Sequence, residues 1–204
     1  MLVLVACTPR AEPVRESVTA GPSGDMRALE DAVLAELDTF RADPRAYVVK
    51  LEALKKRFRG SEIILDDSTR VATNEGPRAV DEAIAFMRRG PPSLPPYRHS
   101  ERLTAIARAH AEDLGRHNLV GHIGSDGSTP EQRGARRGVT DGFGEVVAHG
   151  TTSGEDTIVG LLVDDGVRDR GHRTVMYLTE LHQVGVGCAA HPTYRTSCVI
   201  DFAP

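Results

Sequence analysis

The chain has 204 residues, which, with a short N-terminal stretch set aside, leaves room for one domain with a proper core. Hydrophobic residues make up 40% and charged residues 26%, near the globular average, while aromatics at 4% and the absence of Trp leave few platforms for stacking sugars or bases. The net charge of -4 and the pI of about 6.1 lack the basic footprint that neutralises phosphates, which argues against a nucleic-acid partner, and local runs such as Lys55-Lys56-Arg57 and Arg136-Arg137 read as solvated helix faces.

In chain order, Leu2 to Ala6 form a brief apolar run ending in Leu4-Val5-Ala6-Cys7, which resembles a bacterial lipobox. Cleavage before Cys7 would leave its thiol to carry a lipid anchor to the membrane of the cell envelope. The run is short and no basic segment precedes it. Either translation begins upstream of Met1, or the run is incidental. Residues 1–7 are thus read as a truncated export signal and residues 8–24, rich in Pro, Glu, Ser and Gly, as a flexible tether. Residues 25–204 remain for the folded domain.

From Met26, Leu29, Val33, Leu37 and Phe40 recur at helical spacing, with Asp25 placed to cap. Asp43-Pro44 restarts the chain as cap and first-turn proline, and Tyr47, Val48, Leu51 and Leu54 predict a second helix to about Phe58. After a mixed stretch, Pro77 opens a helix with Val80, Ile84 and Met87 inward, ended by Gly90-Pro91-Pro92. Ser100 caps a helix striped by Leu103, Ile106, Ala107, His110 and Leu114, which puts His110 on the buried face. A loop around His122 leads to a short helix from Ser128-Thr129-Pro130, closed by Gly138. Phe143 to His149 reads as a strand, and Ser153 with Asp156 starts a helix that Asp164-Asp165-Gly166 stops.

The tail alternates in Val184-Gly185-Val186-Gly187-Cys188 and in Cys198-Val199-Ile200-Asp201-Phe202, which predicts an antiparallel hairpin. If it turns about Thr193, Cys188 and Cys198 fall opposite, with Cβ atoms roughly 4.5 to 5.5 Å apart. A disulfide is then feasible and would form only in an oxidising compartment, in keeping with export. The alternative is a pair of buried free thiols on facing strands.

The order of Ala109-His110-Ala111, Gly121-His122, Asp126-Gly127, Gly144-Glu145, Gly171-His172-Arg173 and a final Val-Gly-Val-Gly strand resembles the CAP superfamily of sperm-coating-protein-like domains. The resemblance runs from about Met26 to Ala203, and Asp164 to Arg173 resembles a bacterial branch with a long N-terminal helical segment. It implies an α+β fold of the α-β-α sandwich type, with helices on both faces of a mainly antiparallel central sheet. It also implies a cleft holding two histidines and two acidic residues. His122, Glu145 and His172 match three of these positions, and Asp164 or Asp165 stands where the family has its second glutamate.

Two imidazoles and a carboxylate can hold zinc through three protein ligands and leave a position for water, so His122, His172 and Glu145 are candidate metal ligands. An unligated Asp164 or Asp165 would then be available as a base for hydrolysis. Alternatively each histidine pairs with a carboxylate and fixes the loops. A serine route through Ser125 or Ser153 lacks the strand-turn-helix elbow such chemistry uses. His110 reads as a core histidine, Glu75 as a turn or helix-start residue, and Arg173 as pairing with Asp165 or Asp169. The reading favoured here is an exported module whose cleft binds a lipid, a peptide or a cell-envelope component, with metal-assisted hydrolysis as the alternative.

Overall fold

A computed structural model describes residues 23–65 and 70–204. Cys7 and most of the tether lie outside these residues. Seven helices are described: α1 (Ser23–Ala42), α2 (Tyr47–Lys56), α3 (Pro77–Arg88), α4 (Glu101–His117), α5 (Pro130–Arg136), α6 (Gly154–Val163) and α7 (Gly171–Met176). The strands are β1 (Phe58–Arg59), β2 (Glu62–Ile64), β3 (Arg70–Ala72), β4 (Arg98–His99), β5 (Gly144–His149), β6 (Gln183–His191) and β7 (Arg195–Ala203). Among the described residues no helix is long and apolar enough to cross a membrane.

The helix starts follow local chemistry. Ser100 Oγ accepts from Leu103 N, Ser153 Oγ from Asp156 N, and Thr129 forms a reciprocal capping box with Gln132, each satisfying first-turn amides that have no helical partner. One start differs from expectation. Helix α1 begins at Ser23, so Asp25 falls inside its first turn and not at the cap, because the polar opening residues carry no apolar period to reveal them. Helix α7, strand β4 and the small antiparallel sheet β1-β2-β3 had no sequence counterpart, the strands because two or three residues are too few for an alternation to register.

The main sheet has the order β4-β6-β7-β5, with β4 and β6 parallel and the other neighbours antiparallel. Helix α4 covers one face, packing Ala107, Ala111 and Leu114 against Val147, Ala189 and Val199. Helices α1, α2, α3 and α6 cover the other, where Leu37, Phe40, Tyr47, Met87, Ile158 and Leu162 meet Val186, Ile200 and Phe202. The result is the expected sandwich, α-β-α, around a mainly antiparallel sheet. Strand β7 is buried at every position after Arg195, so it is covered on both faces, and Thr196, Ser197 and Asp201 are polar residues inside it.

Helix α4 lies against β6 through glycines. A Cβ on Gly185 would overlap the backbone of Leu103 and Thr104, and one on Gly187 the backbone of Ala107 and Arg108. The Val-Gly-Val-Gly pattern therefore gives β6 a bare face toward the helix and valines toward the larger core.

The hairpin is in the predicted register: Cys188 pairs with Cys198, and their sulfurs are bonded. The bridge closes a loop with a sequence separation of 10. Replacing both cysteines with alanine is expected to lower stability by about 2 to 3 kcal/mol, read from urea midpoints. An unchanged midpoint would show that strand pairing alone holds the hairpin.

Candidate functional site

Four separate parts of the chain, the loop after α4, β5, the end of α6 and the start of α7, bring His122, Glu145, Asp164 and His172 together. Glu145 is the second residue of β5, buried at 6% exposure. Its Oε1 accepts from His122 Nδ1 at 2.8 Å and its Oε2 from Arg133 Nη2 of α5 at 2.6 Å. Burial opposes its ionisation, yet the His122 hydrogen bond and the charge of Arg133 outweigh that, and the carboxyl stays below its ordinary value.

Asp164 ends α6 in the left-handed conformation, with φ of 55°, and is buried. Its Oδ2 accepts from the backbone amide of His172 at 2.9 Å and its Oδ1 from His172 Nδ1 at 2.6 Å. The shorter aspartate thus reaches the imidazole because it sits on the turn facing the start of α7. Asp165 points elsewhere, accepting from the amides of Asn74 and Glu75. The two imidazole rings stand 5.9 Å apart between centroids, tilted by 44°.

A carboxylate only accepts, so each Nδ1 is the donor, and Nε2 is the nitrogen left for a ligand. His172 Nε2 is buried without a hydrogen-bond partner. Glu145, with both oxygens engaged, stands behind His122 as Asp164 stands behind His172. Carboxylate-backed histidines of this kind are how metal-binding imidazoles are oriented. The two Nε2 atoms are the donors that this arrangement would offer to a metal. Among the described residues no three His, Cys, Asp or Glu side chains are grouped as a ready-made metal cage.

Two residues of this network were not singled out from sequence. Arg133, on α5, neutralises Glu145 and also donates to Ser128 O at 2.9 Å. Asp201, on β7, is the cross-strand neighbour of Glu145 and fully buried. Burial, then the charge of Glu145, holds its carboxyl well above the ordinary range, so one of the paired acids is ionised and the other keeps its proton. An aspartate inside an apolar strand was the available signal for Asp201; the partner of Glu145 had none, because it depends on how α5 folds back.

The remaining candidates take other roles. His110 is buried as expected, with Nε2 bonded to Gly121 O at 3.1 Å, and burial pushes its pKa down. Ser125 Oγ donates to Asp113, and Ser153 Oγ to Asp156 as part of its cap. Arg173 pairs with Glu82 of α3 at 2.7 Å, not with Asp165 or Asp169, because its buried side chain runs back under α6 to Leu162 O and emerges beside α3. Glu75 is more than a turn residue: Arg170 grips both its oxygens and Gly166 N donates to it, which holds the carboxyl down to about 2. Arg170 also donates to Asp164 O at 2.7 Å, so this pair braces the loop that carries His172.

A sandwich of this topology with two carboxylate-backed histidines defines a class that the comparisons identify. Residues 88–202, more than half of the chain, match the cysteine-rich secretory protein family, CAP, and the chain belongs to that family. Among solved structures it is similar to an extracellular protein containing an SCP domain from Bacillus anthracis str. Ames, with 22% identity over 62% of this chain and a TM-score of 0.45. The chain spans 39% of that protein's length. It is also similar to an outer surface protein from Borrelia burgdorferi, with 16% identity over 71% of this chain and 97% of that one, at a TM-score of 0.45. Comparison with curated proteins finds no match.

Proposed function

We propose that the chain is an exported CAP module that binds a lipid, peptide or other cell-envelope ligand at the cleft between His122 and His172, and that zinc held by these two imidazoles is part of that site. The observation that carries the reading is the pair of rings 5.9 Å apart, each fixed through Nδ1 by a buried carboxylate. The bond at Nδ1 leaves Nε2 as the ring nitrogen available to a ligand. Zinc bound there would supply a Lewis acid for a donor atom of the ligand. The protein's own part is to hold both imidazoles in one orientation through their Nδ1 hydrogen bonds. Ile123 at 51% exposure and Val120 at 39% flank His122 and offer an apolar lip.

Export is supported by the disulfide, which persists outside the reducing cytosol. Attachment to the envelope through a lipid on Cys7 belongs to the same proposal, as does the lack of a nucleic-acid partner.

A second reading, metal-assisted hydrolysis, draws on the same carboxylate-backed imidazoles. Its difficulty is the base. Glu145 has both oxygens committed, and Asp164 already accepts two hydrogen bonds from His172.

Calorimetric titration of the full chain with zinc tests the site. The wild type is expected to bind one equivalent, His122→Ala and His172→Ala to lose it, and Asp164→Asn to weaken it by about 10- to 100-fold. No binding by the wild type would remove zinc from the proposal. Peptide-bond turnover that chelation abolishes would favour the hydrolase.

A further inference from the structure

We propose that a basic pocket beside α4 and α5, separate from the histidine cleft, is a second binding site that takes a phosphate group. The pocket encloses about 330 Å³ and is lined by His110, Asp113, Arg116, Arg133, Arg136 and Arg137 among others. Neither His122 nor His172 lines it. Glu145 stands between the two sites, its Oε1 on His122 and its Oε2 on Arg133.

Four guanidinium groups converge here on a chain whose net charge is -4. Two of the four are paired with acids, Arg133 with Glu145 and Arg136 with Asp126, which leaves Arg116 and Arg137 as the uncommitted cations. Asp113 is taken up by the amide and hydroxyl of Ser125 and by His117, and Asp126 by Ser128 N and Arg136. Arg116 and Arg137 are exposed at the rim and have no ion-pair partner among the described residues. The lining holds one unsatisfied buried donor, Nε of Arg133, whose side chain is 10% exposed. Buried donors are rarely left unpaired, so an acceptor in the pocket accounts for it best.

Phosphate suits this set better than a carboxylate does. It offers three or more acceptor oxygens to several planar guanidinium forks, where a carboxylate offers two. The volume accommodates the phosphate and part of what it is attached to. The Arg136-Arg137 run therefore serves the pocket rather than merely solvating a helix. The phosphate can be that of a small soluble ester or of an anionic lipid headgroup.

The test uses the full chain, titrated with inorganic phosphate by calorimetry and sedimented with phosphatidylglycerol–phosphatidylcholine vesicles against pure phosphatidylcholine vesicles. Arg116→Ala/Arg137→Ala is the test variant, since neither side chain has an ion-pair partner to lose on substitution, with Arg137→Glu as a second. Lys55→Ala/Lys56→Ala on α2 controls for bulk charge. At least one probe is expected to bind the wild type and to bind either pocket variant about tenfold or more weakly, with the lysine control unchanged. Binding of inorganic phosphate identifies a small ester as the source; binding of anionic vesicles alone identifies a headgroup. The proposal is overturned if neither probe binds, if the pocket variants bind as the wild type does, or if the lysine control loses as much. Zinc binding at the cleft is read independently of all three outcomes.

Discussion

Gly187→Ala is expected to destabilise the protein by about 3 kcal/mol or more, and Gly185→Ala by a similar amount. A methyl group at either position would enter space filled by the backbone of α4, and backbone atoms cannot rotate aside as a flexible side chain would. Relief requires α4 to lift from β6. Because the same helix carries Ala107, Ala111 and Leu114 into the smaller core, lifting it unpacks that face of the sheet. Urea denaturation of each variant beside Gly160→Ala makes the comparison sharp. A Cβ on Gly160 meets nothing within 4 Å, and alanine there should be neutral or mildly stabilising. Equal stability of Gly187→Ala and the wild type would contradict the close approach of helix and strand.

The second large effect concerns Arg133. Replacing it with methionine keeps most of the side-chain volume but leaves Glu145 buried, beside protonated Asp201, without its cation. Removing one partner of a buried ion pair costs about 3 to 5 kcal/mol at neutral pH. The sign of the pH dependence follows from the direction of the Glu145 shift. In the wild type its carboxyl lies below its ordinary value, so its contribution is fully present above that ordinary value and is lost as pH falls through the lowered one. In Arg133→Met the carboxyl rises and accepts a proton more readily, so the deficit against wild type should shrink between pH 7 and about pH 4.5. Denaturation midpoints at the two pH values check this. A deficit of the same size at both would mean that Arg133 acts through packing and not through charge.

The parts of the fold that were legible in sequence are those with one apolar period and a cap of known chemistry. Helix α4 has both, in the stripe from Leu103 to Leu114 and in Ser100, and the hairpin register followed from the two alternating runs and the turn between them. The three residues matched by resemblance, His122, Glu145 and His172, do come together, and Asp164 rather than Asp165 completes the set because a left-handed cap turns its side chain toward α7. What stayed hidden has a common physical origin. Arg133, Asp201 and the Glu82 partner of Arg173 act across long sequence separations, where charge pairing depends on how helices fold back and leaves no period to read. The conversion of Glu145 from candidate ligand to support for His122 is of the same kind, since only the placement of α5 shows that its second oxygen is taken.

The salt links between α3 and the His172 loop bear on how the chain can be divided. The region shared with the family begins at residue 88, yet Glu75 and Glu82, which hold Arg170 and Arg173, both precede it. So does Glu30 of α1, which accepts from the amide of Cys188 and from Arg108. A fragment cut at the boundary of the shared region would keep both histidines while shedding the acids that hold their surroundings in place. For recombination or domain grafting, the transferable unit begins at α1, and the leading helices must travel with the cleft.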